Sequence, residues 1–471
     1  MNLAKKNFSI HGVEKEKEQF SQGLPYTKAD AFGNEIRDVY KNIKSKNQVE
    51  DLKYMQKMTR LSGKLHNRGR EKIEKAKDFK SWIRGILMLG GHYTMEFAIG
   101  HMVMHGCYDD IPRSELQSKN WKWNNSMVEE DWITEHNQFH HIYTNIVEQD
   151  HDFGFLMFRL SDKQKWKPYH LFQVISLLSM PLYLTPYMAW YITTARAQNE
   201  KRSLFQWDLY TKPIQKTLEI WLENYWRYPL QSENGFFKVA LGNFLAKLYA
   251  DTVFVYMIGV EHLNDNLANY EVVPDATIGE FYLRQILTTL NYYVDQRFED
   301  VFLGGINIHT EHHLFPDLPP NRLREASQMV ESICKKYKIP YRSLHWSEAI
   351  IELLYTGVKY SFPFSKQINK QFELVWKSMT QPLTNVFLKQ NKETTYTAKL
   401  IKSQKEILLS SNKTILESLE ENGLKPSVGC RKGACRKCVV QKLSGRTTLE
   451  TDGGNIKICI AKPISDMILE L

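Results

Sequence analysis

His136-Asn137-Gln138-Phe139-His140-His141-Ile142-Tyr143-Thr144-Asn145, continued by Glu148-Gln149-Asp150-His151-Asp152, sets three imidazoles within six residues. On a helix, residues four apart share a face, so His136 and His140 are expected to point the same way. His141 then sits one step round, within reach of a second centre. Neutral imidazole suits iron, copper and zinc, and several together in a dry site make a transition-metal box.

Three further clusters lie outward from this stretch: His101-Met-Val-Met-His105, His262 within Gly259-Val-Glu-His, and His309-Thr-Glu-His312-His313. The four clusters hold nine of the fifteen histidines. At helical periodicity each multi-histidine cluster projects its rings onto one face. Nine imidazoles exceed the six positions of one octahedral ion, so two metals sharing them, each with an open position, is the expected arithmetic. Ligating imidazoles usually donate their other N–H to a carboxylate. Glu96, Glu135, Asp150, Asp152, Glu261, Glu311 and Asp317 flank the clusters, and Asp150 and Asp152 are the preferred partners. His92, His151 and His170 read as ordinary core or surface residues.

A chain of 471 residues has room for two or three domains. The net charge of +9 fits an anionic membrane face. Its Lys and Arg are scattered among 53 acidic residues, which excludes a nucleic-acid stripe. The mean hydropathy of −0.44 is too polar for a protein made mostly of spans. An aromatic fraction of 12% agrees with membrane interfaces. The charged N-terminus predicts no secretory signal.

Residues 1–80 read as a polar helical segment, a solvated lead-in. Apolar runs cover 82–104, 171–194 and 236–260, each near the length of a span and each interrupted by charge or proline. A complete first span would put the Lys-rich N-terminus opposite the histidines, against the positive-inside tendency, so this run is expected to be re-entrant or partly embedded. Residues 195–235 read as interfacial helices, 277–300 as an amphipathic helix, 321–338 as a surface helix and 346–392 as a packed connector. From Thr395 short alternating runs predict a small β-rich domain, with a β-hairpin over Thr395–Leu409 and a helix over Lys413–Asn422.

Of six cysteines, Cys430, Cys435, Cys438 and Cys459 cluster near the C-terminus, which reads as a metal site in a reducing compartment. C-x4-C-x2-C with one distant cysteine is the plant-type [2Fe–2S] spacing and fits structural zinc poorly. Arg431, Lys432, Arg436 and Lys437 collar it, which predicts docking on an acidic surface.

The order of the histidine boxes resembles the membrane fatty acid desaturase family, in its bacterial linoleoyl-type branch. The flanks agree: Ala98-Ile-Gly-His-Met-Val-Met-His-Gly106, Tyr143-Thr-Asn145, Phe281-Tyr-Leu-Arg-Gln285 and Glu311-His-His-Leu-Phe-Pro-Asp-Leu-Pro319. Departures are His309 where that branch commonly has Gln, and Met102 where it has Asn. Residues 393–471 resemble a plant-type ferredoxin domain. The resemblance implies a mainly α, membrane-embedded desaturase domain over 81–345, a connector over 346–392, and a small α+β (β-grasp) ferredoxin domain over 393–471. It implies a diiron site on His101, His105, His136, His140, His141, His262, His309, His312 and His313, and a [2Fe–2S] cluster on Cys430, Cys435, Cys438 and Cys459. The expected partners are a fatty acyl substrate, O2, membrane lipid and an NAD(P)H-dependent ferredoxin-type reductase, and no nucleic acid. The expected location is the bacterial inner membrane, multi-pass or partly embedded, with the metals on the cytoplasmic side. Lipid or alkane hydroxylation on the same scaffold is the alternative chemistry, and a non-enzymatic membrane redox carrier the further one.

Overall fold

The computed structural model describes residues 26–46, 48–111, 114–233, 235–273, 275, 277–294, 298–363, 376, 395–411, 413–429, 437–444, 447, 455–463 and 465–471. The chain divides into two compact units, Met1–Trp376 and Lys377–Leu471.

The first unit is mainly helical. Helix Phe79–Met104 starts at Asp78, whose side chain accepts a hydrogen bond from the Ser81 N–H at 2.8 Å. It packs tightly against Gln48–Lys75. A Cβ on Gly69 would lie 2.7 Å from the Leu89 backbone, and one on Gly85 2.7 Å from that of Ile73. Pairing of 69 with 89 and 73 with 85 makes the two helices an antiparallel hairpin.

The N-terminal segment departs from the solvated lead-in expected of it. Helix Tyr26–Lys44 buries Phe32, Ile36, Val39 and Ile43 in one core with Leu283, Ile286, Phe315 and Leu318. Only one stripe of the helix is apolar, and its polar composition masks that stripe. Gly33 crosses Gly279 so closely that a Cβ on Gly279 would stand 2.0 Å from the Ala29 carbonyl oxygen. At the helix end, the Tyr40 hydroxyl donates to Asp317 at 2.7 Å and Lys44 pairs with the same carboxylate at 2.9 Å.

Among the described residues no single helix is long and apolar enough to cross a membrane. The second apolar run is broken: Pro168–Leu182 and Leu184–Asn199 meet at 111° and pass the length and composition test only as a bent pair. Pro181 and Pro186 explain the break, since proline is tolerated in a first turn but not in a helix interior. The third run forms helix Phe236–Val253, then a π-helical turn, Phe254–Ile258, that delivers His262. The stretch 277–300 is not one helix. Helix Ile278–Leu287 gives way to strand β1 (Asn291–Tyr293), which pairs in parallel with β2 (Ser343–His345). The Pro320–Tyr337 helix turns Leu323, Ala326, Val330 and Cys334 inward.

The second unit holds a five-stranded mixed sheet in the order β4-β3-β7-β5-β6. Its strands are β3 (Thr395–Leu400), β4 (Lys405–Ser410), β5 (Val439–Ser444), β6 (Asn455–Lys457) and β7 (Met467–Leu469). β3 and β4 form the expected hairpin, with Thr395 opposite Ser410, and β7 runs parallel to β3. Helix Ile415–Glu421, capped by the reciprocal Thr414–Glu417 pair, packs Ile415, Leu416 and Leu419 into this unit's core.

Candidate metal centre

All nine histidines named from the sequence come together. His101, His105, His136 and His312 form one group, and His140, His262, His309 and His313 a second, with donor atoms in each group within 4.8 Å of one another. His141 lies between them. Its ring stacks on His313 at 4.2 Å and stands 4.6 Å from His105 and 4.8 Å from His312. Both of its ring nitrogens are buried without a hydrogen-bond partner.

The local fold explains this distribution. Residues Ile133–His140 form a π-helix, with the His141 N–H bonded to the His136 carbonyl. His136 and His140 point the same way, as expected: their rings stack at 5.0 Å and both face Asp152, with which they form a third group, while His136 also joins the first group and His140 the second. The short helix His309–Leu314 likewise divides its histidines, His312 to the first group and His309 with His313 to the second. Asn137 ties the segment to the first box by donating to the Met104 carbonyl at 2.9 Å.

Hydrogen bonds at Nδ1 set the tautomers. His136 faces Asp152 at 3.1 Å, His140 faces Asp150 at 3.0 Å, His313 faces the Gln285 side-chain oxygen at 3.0 Å and His262 faces the Thr288 carbonyl at 3.4 Å. Each acceptor requires a proton on Nδ1, which leaves the Nε2 lone pair free. Those lone pairs converge. Nε2 of His140 lies 3.1 Å from that of His262, which lies 3.1 Å from that of His313. In the first group Nε2 of His101 lies 3.1 Å from that of His312 and 3.2 Å from that of His136, and Nδ1 of His101 and of His312 has no hydrogen-bond partner to set its tautomer. Lone pairs so placed in a dry interior repel one another unless a cation sits between them. With metal–nitrogen bonds of about 2.1 Å, neighbouring ligands at right angles stand about 3 Å apart. The donor set therefore fits two metal ions.

Burial, with repulsion from neighbouring imidazoles, holds His105, His141, His262, His309, His312 and His313 well below the ordinary histidine pKa. Burial acts the same way on His140, but the Asp150 and Asp152 carboxylates outweigh it and raise its pKa. Burial alone pushes the Glu261 carboxyl well up, and its Oε2 stands 3.1 Å from His309 Nδ1.

Of the flanking acids, Asp150 and Asp152 meet ligands as expected, and Glu261 joins them. Glu135 instead holds His151 at 3.2 Å, and Glu311 accepts from Asn291 and Tyr341 at 2.8 and 3.0 Å. Glu96 stands 3.4 Å from His92, and His170 accepts a backbone N–H from Lys167. Sequence reasoning missed Gln285, Thr288 and Trp132. Gln285 was already visible in the Phe281–Gln285 flank. Trp132 stacks on His136 at 4.5 Å and 25°, and nothing in its own spacing announces this.

An apolar cavity of about 50 Å3 reaches the histidines between Phe97, Trp132, Met188, Ile192 and Phe254. In the second unit, Cys438 and Cys459 are buried with their sulfurs 2.7 Å apart. Cys430, Cys435, Arg431, Lys432 and Arg436 lie outside the described residues.

The Fatty acid desaturase profile matches residues 80–345, more than half of the chain. The chain belongs to the fatty acid desaturase family. The 2Fe-2S iron-sulfur cluster binding domain profile matches residues 400–463, so this desaturase carries a ferredoxin-type domain at its C-terminus. It is 27% identical over 322 residues to an NADPH-dependent stearoyl-CoA 9-desaturase of Mycobacterium tuberculosis (strain CDC 1551 / Oshkosh), covering 65% of this chain and 74% of that protein. To the sn-1 linoleoyl-lipid 6-desaturase of Synechocystis sp. it is 23% identical, covering 53% and 71%. Among solved structures, Pectocin M2 shares 29% identity over 16% of this chain and 32% of its own, with a TM-score of 0.16, too low to bear on the fold.

Proposed function

We propose that this chain is an O2-dependent fatty acyl desaturase whose nine clustered histidines hold two irons and whose C-terminal domain passes electrons to them. One observation carries the reading: two groups of converging imidazoles, with Nε2 atoms about 3 Å apart, open into an apolar cavity. Bound iron supplies the dioxygen chemistry that removes two hydrogens from adjacent methylenes. The protein's own residues do the rest. Phe97, Met188 and Phe254 offer an acyl chain an apolar wall beside the histidines. Asp150, Asp152, Gln285 and the Thr288 carbonyl keep Nδ1 protonated and the rings aimed inward. Burial excludes water from the site. Each turnover consumes O2, two electrons, two protons and the two substrate hydrogens, and releases two waters.

In this reading Cys430, Cys435, Cys438 and Cys459 hold the [2Fe–2S] cluster in a β-grasp domain over 393–471, after a desaturase domain over 81–345. A separate NAD(P)H-dependent ferredoxin-type reductase supplies the electrons. The protein sits partly embedded in the bacterial inner membrane with its metals on the cytoplasmic side. Exposed Phe172, Ile175 and Leu182 on the bent pair, with Trp207 at 71% and Phe237 at 85% exposure, support this. Extraction of isolated membranes with alkaline carbonate tests the location, and release of the chain into the wash would sink it.

The chemistry is tested by expression with a reductase, followed by gas chromatography–mass spectrometry of cellular fatty acids with double-bond localisation. A new unsaturated acid, absent from a His140→Ala/His141→Ala variant, is expected. Identical profiles would refute the reading, and a hydroxylated product would reassign it.

A further inference from the structure

The apolar space beside the histidines continues away from them and ends on charge. The cavity at the metal centre shares the wall residues Phe97, Met127, Met188, Phe254 and Ile258 with a second cavity of about 50 Å3, which lies directly beside it, and an acyl chain passing these side chains would enter it. The second cavity is also lined by Tyr93, Thr185, Lys247 and Asp251, none of which lines the cavity at the histidines. The same four residues form the inner wall of an outer groove of about 310 Å3, rimmed by Leu182, Trp221 and Phe244. They are a partition between the two spaces.

The centre of the partition is an ion pair one helical turn long. Lys247 Nζ meets Asp251 Oδ1 within helix Phe236–Val253, and the Thr185 hydroxyl donates to Asp251 Oδ2 at 3.4 Å. Asp251 is buried. An acyl methyl end advancing along the path gains a little with each methylene buried. Separating Lys247 from Asp251 would leave a buried charge unpaired, a far larger cost. The outer groove opens on the exposed apolar surface of Leu182, Trp221 and Phe244, which is no place for a polar acyl carrier. The carrier therefore stays on the histidine side, and the hydrocarbon end points to the partition.

We propose that the Lys247–Asp251 pair is the stop at the end of the acyl path and sets the longest chain the enzyme accepts. This rests on the desaturase reading above and adds a residue pair that determines chain length.

The test uses the full chain, expressed with a reductase and fed saturated acids graded from laurate to arachidate. In a Lys247→Ala/Asp251→Ala double variant the path joins the outer groove. The ratio of desaturated longest to desaturated shorter acid should rise about tenfold, the scale at which pockets discriminate one methylene. Ala250→Leu, which fills the same cavity, should lower that ratio. The same acids are also bound to the purified iron-free chain by displacement of a fluorescent acyl probe, which reads the length limit without turnover. An unchanged length limit in both variants overturns the proposal. A wild type that makes no double bond, yet whose binding limit lengthens in the double variant, refutes the desaturase reading and leaves the stop standing.

Discussion

Replacing Asp150 with asparagine removes one charge and one acceptor while keeping the shape of the side chain. Asp150 is buried and accepts three hydrogen bonds: His140 Nδ1–H at 3.0 Å and the Asp152 N–H at 3.0 Å on Oδ1, and the Asn145 N–H at 2.8 Å on Oδ2. An amide has one oxygen to offer. If that oxygen faces His140, the Asn145 N–H meets an amide N–H2 and a buried donor is orphaned, at about 1–3 kcal/mol. If the amide nitrogen faces His140, the imidazole takes the other tautomer. Its proton then moves to Nε2, among the lone pairs that must bind metal. Either arrangement weakens the second group. Loss of such a partner costs about 10- to 100-fold in metal affinity, or about 1.4–2.8 kcal/mol, which agrees with the orphaned-donor figure. The assay is competition between the protein and a calibrated chelator for Fe(II), with loss of iron from one of two sites expected in Asp150→Asn. The control is Asp317→Asn. Asp317 follows the His309–His313 cluster and is held by Tyr40 and Lys44, not by a clustered histidine. It should lower thermal stability and leave iron affinity alone. Iron affinity in Asp150→Asn within about threefold of wild type, below the 10-fold floor, would refute the reasoning.

Gly279→Ala places a Cβ 2.0 Å from the Ala29 carbonyl and forces helix Tyr26–Lys44 off the core. A loss of about 1–3 kcal/mol, read as a lower Tm by circular dichroism, is expected, and an unchanged Tm would contradict the close crossing. The metal-free protein should lose stability on acidification. His105, His141, His262, His309, His312 and His313 have lowered pKa values when folded, so below about pH 6.5 the unfolded chain binds more protons than the folded one. Stability is then present above that pH and falls below it, and a flat Tm from about pH 8 to about pH 5 would argue against neutral buried imidazoles. Cys459→Ser should abolish the visible absorption of the [2Fe–2S] cluster while the histidine site still takes up its iron. Retained cluster absorption would remove Cys459 from the ligand set.

The nine clustered histidines were legible because their spacing alone sets them apart from the other six, and the structure brings them together. Asp150 and Asp152 followed from what an imidazole needs at its second nitrogen. The C-terminal unit was legible because alternation and turn residues mark short strands, and the β3–β4 hairpin and the Ile415–Glu421 helix lie where the pattern put them. The N-terminal helix was not. Its contribution is one apolar stripe closing on Gly279, almost 250 positions away in the chain, and no local pattern reports a partner that distant.

The π-helix at Ile133–His140 was hidden for a different reason. Periodicity from sequence assumes the α-helical turn, and under that assumption His136 and His140 point the same way. A π turn shifts the register by one residue per turn, and the His141 N–H bonds the His136 carbonyl five residues back, while the His140 ring stacks on that of His136. The consequence is functional. With π geometry one segment gives His136 to the first group, His140 to the second and His141 to the space between. The π turn at Phe254–Ile258, just before His262, repeats the device. Both π turns sit within a few residues of a metal ligand, where rewinding by one residue would swing an imidazole out of its group. The helical irregularity that sequence periodicity cannot see is what lets one histidine box contribute to both groups.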